Sequence, residues 1–185
     1  MNADEFSDKL LQLMPDLSEM LESRHTPKHC ERIRASFAVP RVKDNSVGIQ
    51  DPLLDLVTNF DVSKLEIGPV RFDLTYASDY RPSNRSIMFA KDDADYLVID
   101  NHTREIALLD SQSDGFVIGY CAKDGAHFLD ALLEMARRTR VHYPIDLHNL
   151  PVIDHCENAR ACASKAGGDK YLWFYQTALG CDKNE

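Results

Sequence analysis

The sequence predicts an α+β protein: a mostly antiparallel sheet laid out as a meander, N-terminal helices, a closing helix after the sheet, and a C-terminal helical extension. Three observations predict it. Apolar residues recur every three or four positions through the first sixty residues, as in helices that bury one face. The period then drops to two, and four short apolar segments follow one another between residues 87 and 121. The gaps between those segments are too short for a crossover, so neighbouring strands must run antiparallel.

The elements follow in order. Over residues 4–22, Phe6, Leu10, Leu13, Leu17 and Leu21 form one helical stripe, interrupted at Pro15, which has no N–H to donate. Thr26-Pro27 opens the next helix with a capping hydroxyl and a proline where a helical N–H would be unpaired anyway. That helix carries Cys30, Ile33, Arg34 and Phe37 and ends before Pro40. Residues 41–50 read as a loop. Asp51-Pro52 repeats the start signal, and Leu53, Leu56, Val57 and Phe60 give a short third helix.

Residues 65–67 and 70–74 alternate as half-buried strands do, and Gly68-Pro69 between them marks a bulge or an edge strand. A polar loop through Asp79 and Asn84 leads into the meander, read as residues 87–90, 96–100, 105–109 and 116–121. After Asp124-Gly125 a helix carries Phe128, Leu129, Leu132, Leu133 and Met135. Arg137, Arg138 and Arg140 crowd its last turns, where cations suit the helix dipole. Phe89, Leu97, Ile99, Leu108, Val117, Phe128 and Leu132 are expected to be buried in one cluster.

From His142 the pattern changes, so the chain divides into residues 1–141 and a helical extension, 142–185, packed on them by its aromatic face. Asp154 is expected to cap a short helix. Gly167-Gly168 breaks it, and Asp169 is expected to cap a last helix carrying Tyr171, Phe174 and Tyr175 that stops at Gly180.

Composition narrows the function. A length of 185 residues suits one full domain plus an appendage. Twenty-one basic against thirty acidic side chains give a net charge of −9. Nucleic-acid affinity comes mainly from Lys and Arg on phosphates, so a nucleic-acid partner is not expected. Neither is a membrane partner: the charge opposes an anionic surface, and no apolar run reaches the roughly 20 residues that span a bilayer. The acidic start, Met1-Asn2-Ala3-Asp4-Glu5, is unlike a secretory leader, which makes the cytoplasm the expected location. Five cysteines without such a leader argue against a disulfide framework.

Chemistry-bearing patterns are sparse. There is no phosphate-binding G-x-x-x-x-G-K-S/T or G-x-G-x-x-G, and no G-x-S-x-G elbow. His155, Cys156 and Cys162, or His25, His29 and Cys30, have zinc-ligand chemistry, yet lack the close spacing of a zinc site. Buried cysteines and surface histidines are the plainer reading, and no metal or cofactor is expected. The carboxylates are more distinctive. Asp92, Asp93 and Asp95 share one hairpin, and Asp110 and Asp114 flank a later one. Aspartate is a good turn residue, which accounts for them structurally. Alternate turns of a meander emerge at the same end, so the five would also form an acidic docking surface for a basic protein.

The element order resembles that of the SUKH superfamily, which includes bacterial immunity proteins that neutralise secreted toxins and fungal cell-wall regulators. Residues 86–140 carry the resemblance. Ser86-Ile-Met-Phe-Ala-Lys-Asp-Asp-Ala-Asp-Tyr-Leu-Val-Ile-Asp100 is similar to its strand, acidic turn, strand segment. Asn101-His-Thr-Arg-Glu-Ile-Ala-Leu-Leu-Asp110 looks like its next turn and strand, and Ala126-His-Phe-Leu-Asp-Ala-Leu-Leu133 like its closing helix. Residues 142–185 lie outside the pattern. The resemblance implies a non-enzymatic protein-binding module, an immunity protein that blocks a toxin by sitting on it, and the acidic charge would suit a basic toxin domain. A small regulatory or scaffolding module, and a metal-dependent hydrolase using the aspartates or the His/Cys positions, are the alternatives.

Overall fold

Capping chemistry decides where the helices begin. Asn2 accepts the Glu5 N–H and starts α1 (Ala3–Gln12), and Pro15 separates it from α2 (Leu17–Glu22). Thr26 accepts the His29 N–H at the head of α3 (Pro27–Ser36). Asp51 accepts the N–H groups of Leu53 and Leu54 at the head of α4 (Pro52–Asn59). The structure, a computed structural model, describes residues 1–22, 26–43, 49–72, 86–113, 115–140 and 154–181.

The sheet is a meander. β1 (Glu66–Ile67), β2 (Val70–Arg71), β3 (Ser86–Asp92), β4 (Asp95–Asp100), β5 (Ile106–Leu109) and β6 (Val117–Ala122) lie side by side in chain order. Every neighbouring pair is antiparallel. The α+β class and the antiparallel meander therefore stand as the sequence predicts. β1 and β6 are the two edges. Gly68-Pro69 is the tight turn between β1 and β2, not a bulge. Gly68 has φ +57°, a left-handed conformation that glycine adopts without a Cβ penalty.

α5 (Gly125–Arg140) lies on one face of the sheet, flanked by α1, α4 and α6 (His155–Ala166). A row of rings links sheet to helix: Phe72 and Phe89 are 5.8 Å apart between centroids, Phe89 and Phe128 5.5 Å. Burying rings of this size supplies much of the driving force for folding. Phe89, Leu97, Ile99, Leu108, Phe128 and Leu132 all belong to this core. So do Cys162, Tyr171, Phe174 and Tyr175 from the C-terminal helices, so the extension shares the core of the sheet. A smaller cluster of Val98, Ala107 and Leu109 occupies the opposite face of the sheet.

Val117 departs from expectation. It is 39% exposed and outside the core. Leu108 pairs with Gly119 but Leu109 with Val117, so Ile118 is an extra residue in β6. That insertion moves Val117 to the face of Leu109, away from α5.

The C-terminal part brings two more corrections. Asp154 caps α6 as expected, accepting the Glu157 N–H at 2.7 Å. Asp169 caps nothing. It opens a 3-10 turn, Asp169–Tyr171, which runs into α7 (Leu172–Leu179) without a side-chain cap. The cysteines also differ. Cys156 and Cys181 form a disulfide, with Cα atoms 4.9 Å apart, while Cys30, Cys121 and Cys162 are free and buried. Counting cysteines could not show that the α6–α7 hairpin returns the chain to its own starting point. Residues 73–74, the 79–84 loop and the 141/142 boundary lie outside the described residues.

Candidate protein-docking surface

The β3–β4 turn is built from carboxylates. Asp92 and Asp95 face each other across it, and Asp93 takes a left-handed φ of +50°, which a short polar side chain tolerates. Asp95 Oδ1 accepts the Ser111 N–H at 3.0 Å, which ties this turn to the β5–β6 turn. There Asp110 Oδ1 accepts the Gln112 N–H at 2.7 Å. The structure thus brings Asp92, Asp93, Asp95 and Asp110 to one end of the sheet. Asp114 lies outside the described residues. Asp100 is at the far end of β4, where it accepts the N–H groups of His102 and Thr103.

These carboxylates are not alike. The Ser113 hydroxyl and the Gln112 N–H hold the Asp110 carboxyl below its usual range. Asp110 is therefore satisfied by its own turn. Asp92 is pushed up to about 6, by burial first and then by the charges of Asp93 and Asp95. At neutral pH it is an anion held half out of water among other anions, an arrangement that a cation would relieve.

Beside the acidic end lies a bare apolar segment. Phe116 is 65% exposed, Val117 39% and Ile118 41%. The Asp110 N–H donates to the Phe116 carbonyl at 2.9 Å, so the apolar segment starts beside the turn that carries Asp110. The rest of β6 is covered. Trp173 of α7 donates its indole N–H to the Tyr120 carbonyl at 2.8 Å. Its ring lies 2.6 Å from where a Cβ on Gly119 would stand, so any other residue there would have to displace the indole. Lys170 stacks over Tyr120 and pairs with Glu105, which also accepts the Tyr171 hydroxyl.

The apolar segment is absent from the sequence-predicted docking residues. Its signal was an unbroken Phe-Val-Ile run directly after Asp-Gly, where a half-buried strand would alternate.

The cysteines singled out by the sequence are buried or bonded. Burial raises the Cys121 thiol well above its ordinary value and pushes Cys162 up to about 12. Both are protonated at neutral pH and poor nucleophiles. In this structure Cys156 is bonded to Cys181, and only a reduced form would free its thiol. Among the described residues no three His, Cys, Asp or Glu side chains gather as a metal site would need. No helix among them is long and apolar enough to cross a membrane. No family model matches the chain, nor does any curated protein or solved structure.

Proposed function

We propose that the protein is a non-enzymatic binding module that docks a basic protein partner on the acidic end of its sheet. One observation carries the reading: the half-buried Asp92, crowded by Asp93 and Asp95, shares that end with the exposed Phe116, Val117 and Ile118. Interfaces are organised in this way, with an aromatic anchor near charges that steer the partner. The resemblance of residues 86–140 to the SUKH superfamily supports a more specific version, in which the partner is a basic toxin domain and docking neutralises it. Cytoplasmic residence belongs to the proposal too. It requires Cys156 and Cys181 to be largely reduced in the cell, since disulfides rarely persist in the cytosol. Alkylation of thiols before lysis reads this directly.

The test is association kinetics against the product of the adjacent gene at two ionic strengths. Changing Asp92, Asp93 and Asp95 together to Asn should slow association about tenfold and flatten its salt dependence. Phe116→Ser should instead speed dissociation, because it removes a buried anchor and leaves the charges in place. Unchanged rates and salt slopes in both variants would reduce the aspartates to turn formers and sink the reading.

A further inference from the structure

The edge of the sheet opposite β6 carries the opposite charge. A groove of about 550 Å3 lies between α3 and the β1–β2 hairpin, lined by Lys28, Glu31, Arg32, Lys64, Glu66 and Arg71 among others. Lys28 and Arg32 are four residues apart on α3 and so share one face. Lys64 comes from the turn before β1, and Arg71 from β2. Three separate elements thus deliver cations to one concavity, in a chain whose net charge is −9.

Their pairing is incomplete. Arg71 bonds Glu66 at 3.3 Å. Lys28 and Arg32 form no ion pair with a described residue, and Lys64 makes no direct ion pair although its charge helps to lower the Asp61 carboxyl. Four cations face two carboxylates in the groove, with Asp61 beside Lys64 as a third at its rim, and Glu66 is already engaged by Arg71. A second hollow of about 310 Å3 shares Arg32 and Glu66 with the first and continues past Ile33, Phe37 and Ile67 toward Thr139 of α5. The pair of hollows offers a cationic mouth and a more apolar end.

We propose that this groove binds a small organic phosphate, its phosphate oxygens held by Lys28, Arg32 and Lys64 and its organic body directed toward Ile33 and Phe37. Three cations free of direct ion pairs match a group carrying nearly two negative charges on three oxygens. A carboxylate, with one charge and two oxygens, would leave at least one of them unanswered. The guanidinium grips such oxygens as a fork, while each ammonium acts as a point charge. The size is that of a small-molecule pocket rather than a macromolecular track. The charge of the whole chain disfavours a nucleic-acid polyanion, whereas screening lets the local cations dominate within roughly 10 Å.

The experiment titrates the full chain with phenyl phosphate in a phosphate-free buffer of low ionic strength, following backbone amide resonances. Benzoate serves as the carboxylate control. Phenyl phosphate should shift amides of α3 and residues 63–71 saturably, benzoate should not, and added salt should weaken the binding. Lys28→Gln with Arg32→Gln should weaken it at least tenfold, and both positions are exposed, so the fold should survive. Lys64→Gln, on a different element, should weaken it as well, which keeps the test standing should the α3 pair perturb the helix. The proposal is overturned by no saturable shift, by equal shifts with benzoate, by shifts centred elsewhere, or by undiminished binding in both variants.

Discussion

At the β1 edge the strand is two residues long, turned by Gly68-Pro69 and flanked by Lys64, Glu66 and Arg71. At the β6 edge the strand is six residues long, and Val117 and Ile118 stand exposed. An open edge invites pairing with other chains, and proteins blunt it by shortness, charge, bulges or a cover. The β1 edge uses shortness and charge. The β6 edge uses two register shifts and the Trp173 indole. That protection stops at Gly119, and the contrast locates a stretch of sheet edge, Val117 and Ile118, whose apolar side chains are left open. It also adjoins the turn that carries Asp110, which is why the proposed docking falls at this edge.

Removing what the two edges share should produce the largest effect. Phe128 packs against Phe89 beneath the middle of the sheet. Phe128→Ala should cost about 3–5 kcal/mol in chemical denaturation. Amide exchange should quicken at both edges together. If one edge alone loosened, the single shared core would be wrong.

Changing Cys156 and Cys181 to Ser should separate the edges. The bridge closes a 25-residue span, and losing it should cost about 3 kcal/mol, chiefly through the unfolded chain. Exchange should quicken first in α6, α7 and β6, with β1 and β2 last to respond. Equal thermal stability of the oxidised and reduced wild type would show that the bridge contributes nothing.

A matched pair of glycine substitutions sharpens the contrast further. At Gly119 a methyl group would meet the Trp173 ring, and Gly119→Ala should cost about 1–3 kcal/mol and alter the indole emission. At Gly68 the nearest atom, 2.9 Å away, is the Met135 sulfur, at the flexible part of its side chain. The left-handed backbone is the main obstacle there, so Gly68→Ala should cost only about 1 kcal/mol. Trp173 emission unchanged in the first variant would mean that the indole does not seat on β6.

The smallest effect concerns pH. In the folded chain Asp92 titrates near 6, above its ordinary 3.8. Its proton therefore favours folding, a contribution fully present below pH 4 and lost as pH rises through 6. Asp92→Asn should raise the melting temperature at pH 7.5 by about 2 °C, after allowing for solvent screening, and leave it unchanged at pH 4. A variant less stable than wild type at pH 7.5 would mean that the ionised carboxylate has a partner.

Much of the architecture was legible because it is written locally. Proline after a capping residue marked α3 and α4, short gaps marked the antiparallel meander, and alternation of turns placed Asp92, Asp95 and Asp110 at one end. What escaped depends on contacts distant in sequence. Val117 was misplaced because a bulge reverses the alternation that period-two reading assumes. The disulfide, the seat of Trp173 on Gly119 and the cationic groove each join segments that no spacing rule connects. The carboxylates of the acidic end were visible as residue types. Their inequality was not, since it takes burial to set Asp92 apart from Asp110.

The indole cover on β6 also sets a schedule. Each strand pairs with its neighbour in sequence, so the sheet can close as soon as residue 122 is available. Trp173 comes 51 residues later. At typical ribosomal speeds that is a delay of about 3–10 s, far longer than a hairpin needs to form. Throughout it the Gly119 strip lies open next to Phe116, and the nascent chain presents this apolar edge before its own lid has been made.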